Sequence, residues 1–236
     1  MPNETFYLDG LDARSFGIQL QAPISFSDAV PIVKAQTIPG RNGDLILYTG
    51  SYENRGGVAS CFCMQKDVQK ALSSANRFLM SARGYRRLET SDDHDHFWLA
   101  MVENSPQINV RVDSLAVFEI EFDCKPQRFL KDGEYPIVMT RTGSIFNHYG
   151  QEALPFITVY GFGSGRLTVG NCVVDIKSIE GLLYLDSEVQ NAYNNNGNQN
   201  MNIDAPIFPK LPDGEIPIWW DGGIERVEII PRWWEL

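Results

Sequence analysis

Apolar residues recur at helical spacing in one stretch of this chain, and this stretch constrains the fold more than any other. Between Asp67 and Ala82 they follow one another three or four positions apart, at Val68, Ala71, Leu72, Ala75, Phe78 and Leu79. Arg83 and Gly84 then end the pattern. The spacing predicts one amphipathic α-helix whose apolar side lies on a sheet and whose polar side faces water.

Most of the remaining first half alternates apolar and polar residues, which is typical of half-buried β-strands. The clearest strand is Leu115–Cys124, which Lys125-Pro126 is expected to end. Its core-facing residues are predicted to be Ala116, Phe118, Ile120 and Phe122. Further strands are predicted at Thr5–Leu8, Phe16–Leu20, Ile32–Thr37, Val58–Met64, Tyr85–Glu89, Phe97–Glu103 and Ile108–Val112.

The second half is predicted to be an all-β domain. A polar, Gly-bearing turn at Lys131-Asp132-Gly133-Glu134 indicates the domain boundary. The segment Asn191–Asn202 is rich in Asn and cannot bury a core, so it is predicted to be a long mobile loop. Gly and Asp turns separate the short strands, as in a β-sandwich or jelly roll. These strands are Leu154–Tyr160, Arg166–Val169, Val173–Ile176, Leu182–Leu185, Ile216–Trp220 and Arg226–Ile230.

A β-hairpin is predicted around Asn42-Gly43, because both residues tolerate the positive φ that a two-residue turn requires. Pro39 cannot donate to a ladder and Gly40 tolerates close backbone approach, so the arm that enters the turn is expected to be an edge strand meeting another surface. The alternative is an ordinary solvated hairpin.

Composition excludes several classes of partner. The 236 residues carry a formal net charge of −10, which disfavours binding to nucleic acid and to anionic membranes. No apolar run approaches the roughly 20 residues of a membrane span. The start Met1-Pro2-Asn3-Glu4 lacks the basic and apolar regions of a signal peptide, so synthesis in the cytoplasm is expected.

Four cysteines leave one metal hypothesis open. Cys61 and Cys63 alternate on a strand and share a face, and His94 and His96 could complete a four-ligand zinc site with them. The alternative is that the two thiols are small core residues and that Ser91–Asp95 is a polar turn between strands. Cys124 and Cys172 add no Cys-x-x-C spacing, so reduced thiols and no cofactor are expected.

Catalytic motifs are missing from the sequence. It contains no nucleophile elbow, no phosphate-binding Gly loop and no helical pair of metalloprotease histidines. Asp186-Ser187-Glu188 has the residue types of a glycosidase pair, but a turn at the end of a strand is the simpler interpretation. The sequence therefore favours a protein that is not an enzyme.

Four short segments follow one another along nearly the whole chain. The first is the stretch Ile38–Asp44 followed by Gly50-x-Tyr52. The others are Phe122–Pro126, Tyr184–Glu188 and Val227–Trp233. Together these segments resemble the distal tail proteins of phages that infect Gram-positive bacteria. The resemblance implies a mainly β (α+β) protein: an N-terminal tail-tube-like β-sandwich with one α-helix and a C-terminal galectin-like β-sandwich.

The resemblance makes seven residues candidate ring or stacking contacts: Ile38, Pro39, Gly40, Arg41, Asn42, Gly43 and Asp44. It also implies an architecture and a set of partners. Residues 1–130 would form a ring-forming belt domain and 131–221 the galectin-like domain, and the last strand, about 222–236, can return to the first domain in some members. Six copies would form a hub in the virion that joins the major tail tube protein and the tape measure protein to the tail-associated tip protein and the receptor-binding protein. The acidic chain would give DNA a channel that does not hold phosphates.

Two tryptophans are candidates for the outer rim of such a ring or for a glycan. Trp219 and Trp220 are adjacent on a predicted strand and therefore face opposite sides, so at most one ring could line a given groove. A monomeric lectin-like carbohydrate-binding protein is the alternative function.

Overall fold

The structure is a computed structural model that describes residues 4–102, 104, 106–112 and 114–236, with the backbone alone for 107–111. Met1–Asn3 and Glu103, which entered the sequence predictions, lie outside the described residues. The chain divides into two compact units, residues 1–128 with Leu236 and residues 129–235. Residues 222–235, for which a return to the first domain was an option, belong to the second unit.

The first unit contains eleven strands and one α-helix among its described residues. The strands are β1 (Phe6–Leu8), β2 (Leu11–Asp12), β3 (Gln19–Leu20), β4 (Ser25–Phe26), β5 (Pro31–Gln36), β6 (Leu45–Tyr52), β7 (Arg55–Met64), β8 (Arg86–Thr90), β9 (His96–Val102), β10 (Gln107–Val112) and β11 (Leu115–Leu130). The main sheet has the order β2-β1-β8-β9-β11-β7-β3, with β10 beside β11 and β4 beside β7. β5 and β6 pair only with each other, as a separate two-stranded sheet.

The predicted helix is confirmed as α1 (Val68–Leu79). Asp67 caps its start, since the carboxylate accepts a hydrogen bond from the Lys70 N–H at 3.0 Å. The helix ends three residues before Ala82, where the Ser81 hydroxyl donates to the Phe78 carbonyl at 2.8 Å. Its buried residues are Val68, Ala71, Ala75, Phe78 and Leu79, which join the core of the first unit.

The core face of β11 is as predicted, because Ala116, Phe118, Ile120 and Phe122 are all buried. The predicted end of this strand at Lys125-Pro126 is wrong, since β11 continues to Leu130. β7 pairs with β11 only as far as Cys124. Pro126 therefore lies beyond the β7 ladder, where its missing N–H costs no hydrogen bond to that strand.

The predicted strand Phe16–Leu20 is mostly wrong. Ala13–Phe16 forms a 3-10 turn that Asp12 caps, and the strand itself is only Gln19–Leu20. Gly17 adopts a φ of 83° at the end of the turn, a conformation that glycine favours. Phe16 stacks on Phe78 of α1, with ring centroids 4.1 Å apart.

The second unit is a sheet of eight strands with its own core. The strands are β12 (Ile137–Met139), β13 (Gly143–Asn147), β14 (Phe156–Val169), β15 (Cys172–Asp186), β16 (Asn191–Asn194), β17 (Gly197–Asn198), β18 (Ile203–Asp204) and β19 (Gly214–Ile230). Their order is β12-β19-β14-β15-β16-β17, with β13 beside β19 and β18 beside β15. The short strand β20 (Trp234–Glu235) follows near the end of the chain.

Six predicted short strands of the second half are in fact three long ones, β14, β15 and β19. The glycines interpreted as turns lie inside these strands, at register irregularities such as Gly161–Gly165. There the backbones approach closely: a Cβ on Gly223 would lie 1.7 Å from the carbonyl oxygen of Phe162. These glycines permit close packing of β14 on β19 rather than ending the strands.

The prediction of a mobile loop at Asn191–Asn202 is also wrong. This segment forms β16, β17 and a 3-10 turn at Asn200–Asn202. Its side-chain amides support the backbone: the Asn191 Oδ1 accepts from Asn198 at 2.8 Å and from Asn200 at 2.9 Å. Ala192 is fully buried, so the segment does contribute to the core.

Candidate assembly surface

The isolated pair β5–β6, residues 31–52, is termed the assembly hairpin. None of residues 25–56 is buried, so the hairpin adds nothing to the core of the first unit. A two-stranded hairpin is at best marginally stable alone in water. The assembly hairpin is therefore a structure that lacks a packing partner within the described part of its own chain.

One face of the assembly hairpin is apolar. Val33 lies opposite Tyr48, and Ala35 lies opposite Ile46, so these four side chains share a face. Val33 is 48% exposed, Ile46 58% and Tyr48 54%. Tyr52 extends the face, since its ring packs edge-on against Tyr48 with centroids 6.3 Å apart. A contiguous exposed apolar face of this kind marks an interaction surface.

The tip of the hairpin is the eight-residue segment 37–44, since Gln36 lies opposite Leu45. The predicted two-residue turn at Asn42-Gly43 is thus wrong, because positive φ occurs at Gly40 (82°) and Gly43 (77°) but not at Asn42. All seven candidate contact residues, Ile38 to Asp44, are exposed on this loop. The Thr37 hydroxyl closes the loop by donating to the Asp44 carboxylate at 2.7 Å.

The base of the hairpin is held to the main sheet of the first unit. The Asn54 side-chain amide donates to the Tyr85 hydroxyl at 2.6 Å and to the Asp123 carboxylate at 3.0 Å. Ser27 and Gly56 form two further hydrogen bonds, each 2.9 Å long. The anchored base fixes where the apolar face and the tip project.

The four candidate zinc ligands are not brought together. Cys61 and Cys63 share a face, as predicted, but both are buried in the core, and burial raises the pKa of the Cys61 thiol to about 12. His94 is exposed in the turn between β8 and β9. Within the described residues no three His, Cys, Asp or Glu side chains are grouped as metal ligands.

His96 instead belongs to an ionic cluster. Its Nδ1 lies 2.8 Å from one carboxylate oxygen of Asp93, and Arg128 pairs with the other oxygen at 2.7 Å. Burial alone would raise the pKa of Asp93, but the hydrogen bonds from His96 and Arg128 outweigh it and lower the pKa. This cluster has a structural explanation, since it anchors the turn that precedes β9.

The two tryptophan candidates face opposite sides, as the strand pattern predicts. Trp220 packs against the core of the second unit, whereas Trp219 is 46% exposed. On the outer face Trp219 lies opposite Thr168, which in turn lies opposite Val173. Of the two, Trp219 is therefore the more accessible to a ligand or partner.

The apolar face was not part of the sequence predictions, although the sequence contains a signal for it. Ile46, Leu47 and Tyr48 are consecutive apolar residues on one strand, a pattern of strands buried on both faces. The described part of the chain covers neither face of β6, since none of its residues is buried.

The fold of the chain is similar to that of SPP1 Dit (gp 19.1), described as a paradigm of the hub adsorption apparatus in phages that infect Gram-positive bacteria. The TM-score is 0.74 at 13% sequence identity, and the match covers 96% of this chain and 98% of SPP1 Dit. Comparisons with protein-family models and with curated proteins gave no match. The predicted resemblance to a distal tail protein is thus confirmed in the fold, which is mainly β with one α-helix among the described residues.

Proposed function

We propose that this chain is a non-enzymatic structural protein of a phage virion, a hexameric hub at the distal end of the tail. The exposed apolar face of the assembly hairpin carries the proposal, because it requires a partner surface. The likeness to SPP1 Dit over nearly the full length of both chains supports the location in the tail tip.

A second copy of the chain is the partner that best satisfies the assembly hairpin. Fully burying one large apolar side chain contributes roughly 1.5–3 kcal/mol, and Val33, Ile46 and Tyr48 are each about half exposed. This contact would join two different surfaces: the hairpin of one copy and the receiving surface of the next copy. Such a head-to-tail contact closes into a ring when its rotation permits. The tip, Ile38 to Asp44, would reach furthest into the neighbouring copy.

The ring would connect several other tail proteins. One side would contact the major tail tube protein and the tape measure protein, and the other side the tail-associated tip protein. The outer rim would hold the receptor-binding protein for host attachment. Six chains of net charge −10 would repel phosphates, so DNA would pass the channel without being retained.

Localisation follows from this role. The chain would be made in the host cytoplasm and leave the cell within the virion. No helix in the described part of the chain combines the length and the apolarity that a bilayer crossing needs.

The test is the solution mass by light scattering, with negative-stain images of the same fraction. The wild-type chain should form six-fold rings with an open centre. Ile46→Ser combined with Tyr48→Ser should give a folded monomer, because the apolar face is lost. Leu11→Ser is the matched control, since Leu11 is 51% exposed on β2, away from the hairpin, and its loss should leave the rings intact.

Two results would contradict the proposal. Rings of the double variant at wild-type yield would exclude the apolar face as the contact. A wild-type chain that stays monomeric at every concentration would exclude ring formation by the chain alone, and glycan-array binding by that monomer would favour the lectin-like alternative with Trp219 as its platform.

A further inference from the structure

The sequence contains two Asn-Gly dipeptides, and the structure constrains them differently. Asn42-Gly43 lies on the exposed eight-residue tip of the assembly hairpin. Among the residues that the structure describes, neither the Asn42 amide nor the Gly43 N–H has a hydrogen-bond partner. Gly43 carries no Cβ, and one placed there would meet no atom within 4 Å. The backbone nitrogen of Gly43 is thus exposed and is not held by a hydrogen bond to the described residues.

Asn196-Gly197 lies in an ordered hairpin instead. Gly197 pairs with Asn194 in the ladder between β16 and β17. The Asn196 N–H donates to the Asn194 side-chain oxygen at 2.9 Å. The Gln199 N–H donates to the Ala192 carbonyl at 2.7 Å, one step further along. These bonds hold the backbone of the second dipeptide in place.

We propose that Asn42-Gly43 is a site of spontaneous deamidation in the unassembled chain, and that it reacts faster than Asn196-Gly197. Asparagine is a chemically labile residue. The Gly43 backbone nitrogen attacks the Asn42 Cγ and loses its proton to water. A new N–Cγ bond forms and the Cγ–Nδ2 bond breaks, and the departing NH₂ group takes up a proton from water and leaves as ammonia. Water then opens the resulting five-membered imide at either carbonyl, which gives an aspartyl or an isoaspartyl residue at position 42.

The product changes the tip in two ways. A neutral amide becomes a carboxylate, two positions from Asp44, so like charges accumulate on the loop. The isoaspartyl product also routes the main chain through the side-chain methylene, which lengthens the loop that Thr37 and Asp44 close. Chains that remain unassembled would thereby lose a tip that can contact the neighbouring copy in the ring. This consequence rests on the proposed ring contact, whereas the reaction itself does not.

The reaction is tested on the full-length monomeric fraction at mildly alkaline pH. Samples taken over time are digested, and the peptides covering the two dipeptides are separated and weighed. Labelling with a protein isoaspartyl methyltransferase identifies the isoaspartyl form. Replacement of the amide NH₂ by OH raises the mass of a peptide, and this increase should appear several-fold faster in the Asn42 peptide than in the Asn196 peptide. Asn42→Gln should abolish the change there and leave the rate at Asn196 unchanged. Equal rates, or a slower rate at Asn42, would overturn the inference.

A parallel incubation of the ring fraction separates this inference from the hub proposal. Burial of the tip in a ring should slow the reaction at Asn42 and leave Asn196 unaffected. If Asn42 reacts equally fast in the ring and in the monomer, the modification site stands and the tip contact fails. If Asn42 is inert in the monomer while rings form, the modification site fails and the hub proposal stands.

Discussion

Replacing Gly223 by alanine tests the close backbone approach that lets β14 and β19 remain single long strands. A Cβ on Gly223 would lie 1.7 Å from the Phe162 carbonyl oxygen and 2.8 Å from its carbonyl carbon. A favourable non-bonded contact needs about 3.5 Å, so the backbone would have to retreat by more than about 1 Å. A Cβ on Gly161 would likewise lie 1.9 Å from the Gly223 carbonyl oxygen, so the two backbones are in close contact from both sides.

The expected cost is at the upper end of the range for overpacking, about 3 kcal/mol, because backbone rather than a flexible side chain must yield. For a unit of this size, each kcal/mol lowers the melting temperature by roughly 4–8 °C, so the expected loss is roughly 12–24 °C. Differential scanning calorimetry of the full chain would show it as a downward shift of the transition of the second unit.

Gly143→Ala is the matched control within the same unit. Gly143 also lies in a strand beside β19, but a Cβ there would meet only the Met139 side chain, at 3.4 Å. Alanine at such a site is expected to be neutral or to stabilise by up to about 1 kcal/mol, since it reduces the entropy of the unfolded chain. Equal melting temperatures for the two variants would refute the close-packing argument.

Two further predictions concern an ion pair and the hairpin. The Arg232 guanidinium donates to the two carboxylate oxygens of Asp186 at 2.7 and 3.2 Å. Burial alone would raise the pKa of Asp186, but the hydrogen bonds from Arg232 outweigh it and hold the pKa below 3.8. The stability that this pair contributes is therefore complete above that value and is lost as the pH falls through the lowered pKa. Asp186→Asn should lower the free energy of unfolding by about 1–3 kcal/mol at neutral pH and by progressively less in acid, as measured by urea unfolding. The second prediction concerns a chain in which an Asn-Gly turn between the paired Pro31 and Tyr52 replaces residues 32–51. This deletion should abolish the rings but change the stability of the monomer by no more than about 0.5 kcal/mol, since none of the deleted residues is buried. An unfolded monomer would contradict this.

The elements that the sequence predicted correctly are those whose local pattern agrees with their burial. The helix α1 repeats its apolar residues every three or four positions, and its core side is the buried side. In β11 the alternation from Ala116 to Phe122 matches the buried face residue by residue. In both elements the spacing of the apolar residues along the chain predicts which side chains are buried.

The errors occur where one residue type serves two purposes. Gly161 and Gly223 resemble turn residues, yet they lie inside strands because two backbones meet there. The polar run Asn191–Asn202 resembles a loop, yet its side-chain amides bond to one another and to the backbone. Whether a glycine or an asparagine ends a strand depends on tertiary neighbours that a single stretch of sequence does not specify.

The candidate site was predictable in part. A hairpin with a contact role was expected around Ile38 to Asp44, and the structure contains the hairpin, while the contact role remains a proposal. The predicted turn type was wrong because the chain reverses direction with positive φ at Gly40 and Gly43, so that Asn42 does not need a positive φ. The zinc hypothesis paired Cys61 and Cys63 correctly on one face, but that face is the core, whereas His94 lies at the surface.

The apolar face of the assembly hairpin shows why quaternary structure is the hardest step to take from sequence. Apolar alternation on a strand indicates that one face avoids water, but it does not indicate whether the covering surface belongs to the same chain. The structure separates the two cases, because both units have cores of their own and neither core includes Val33, Ile46 or Tyr48. Apolar residues that the fold of one chain leaves at the surface, on a hairpin anchored at its base, mark an interaction surface, and the partner proposed for that surface is another copy of the chain.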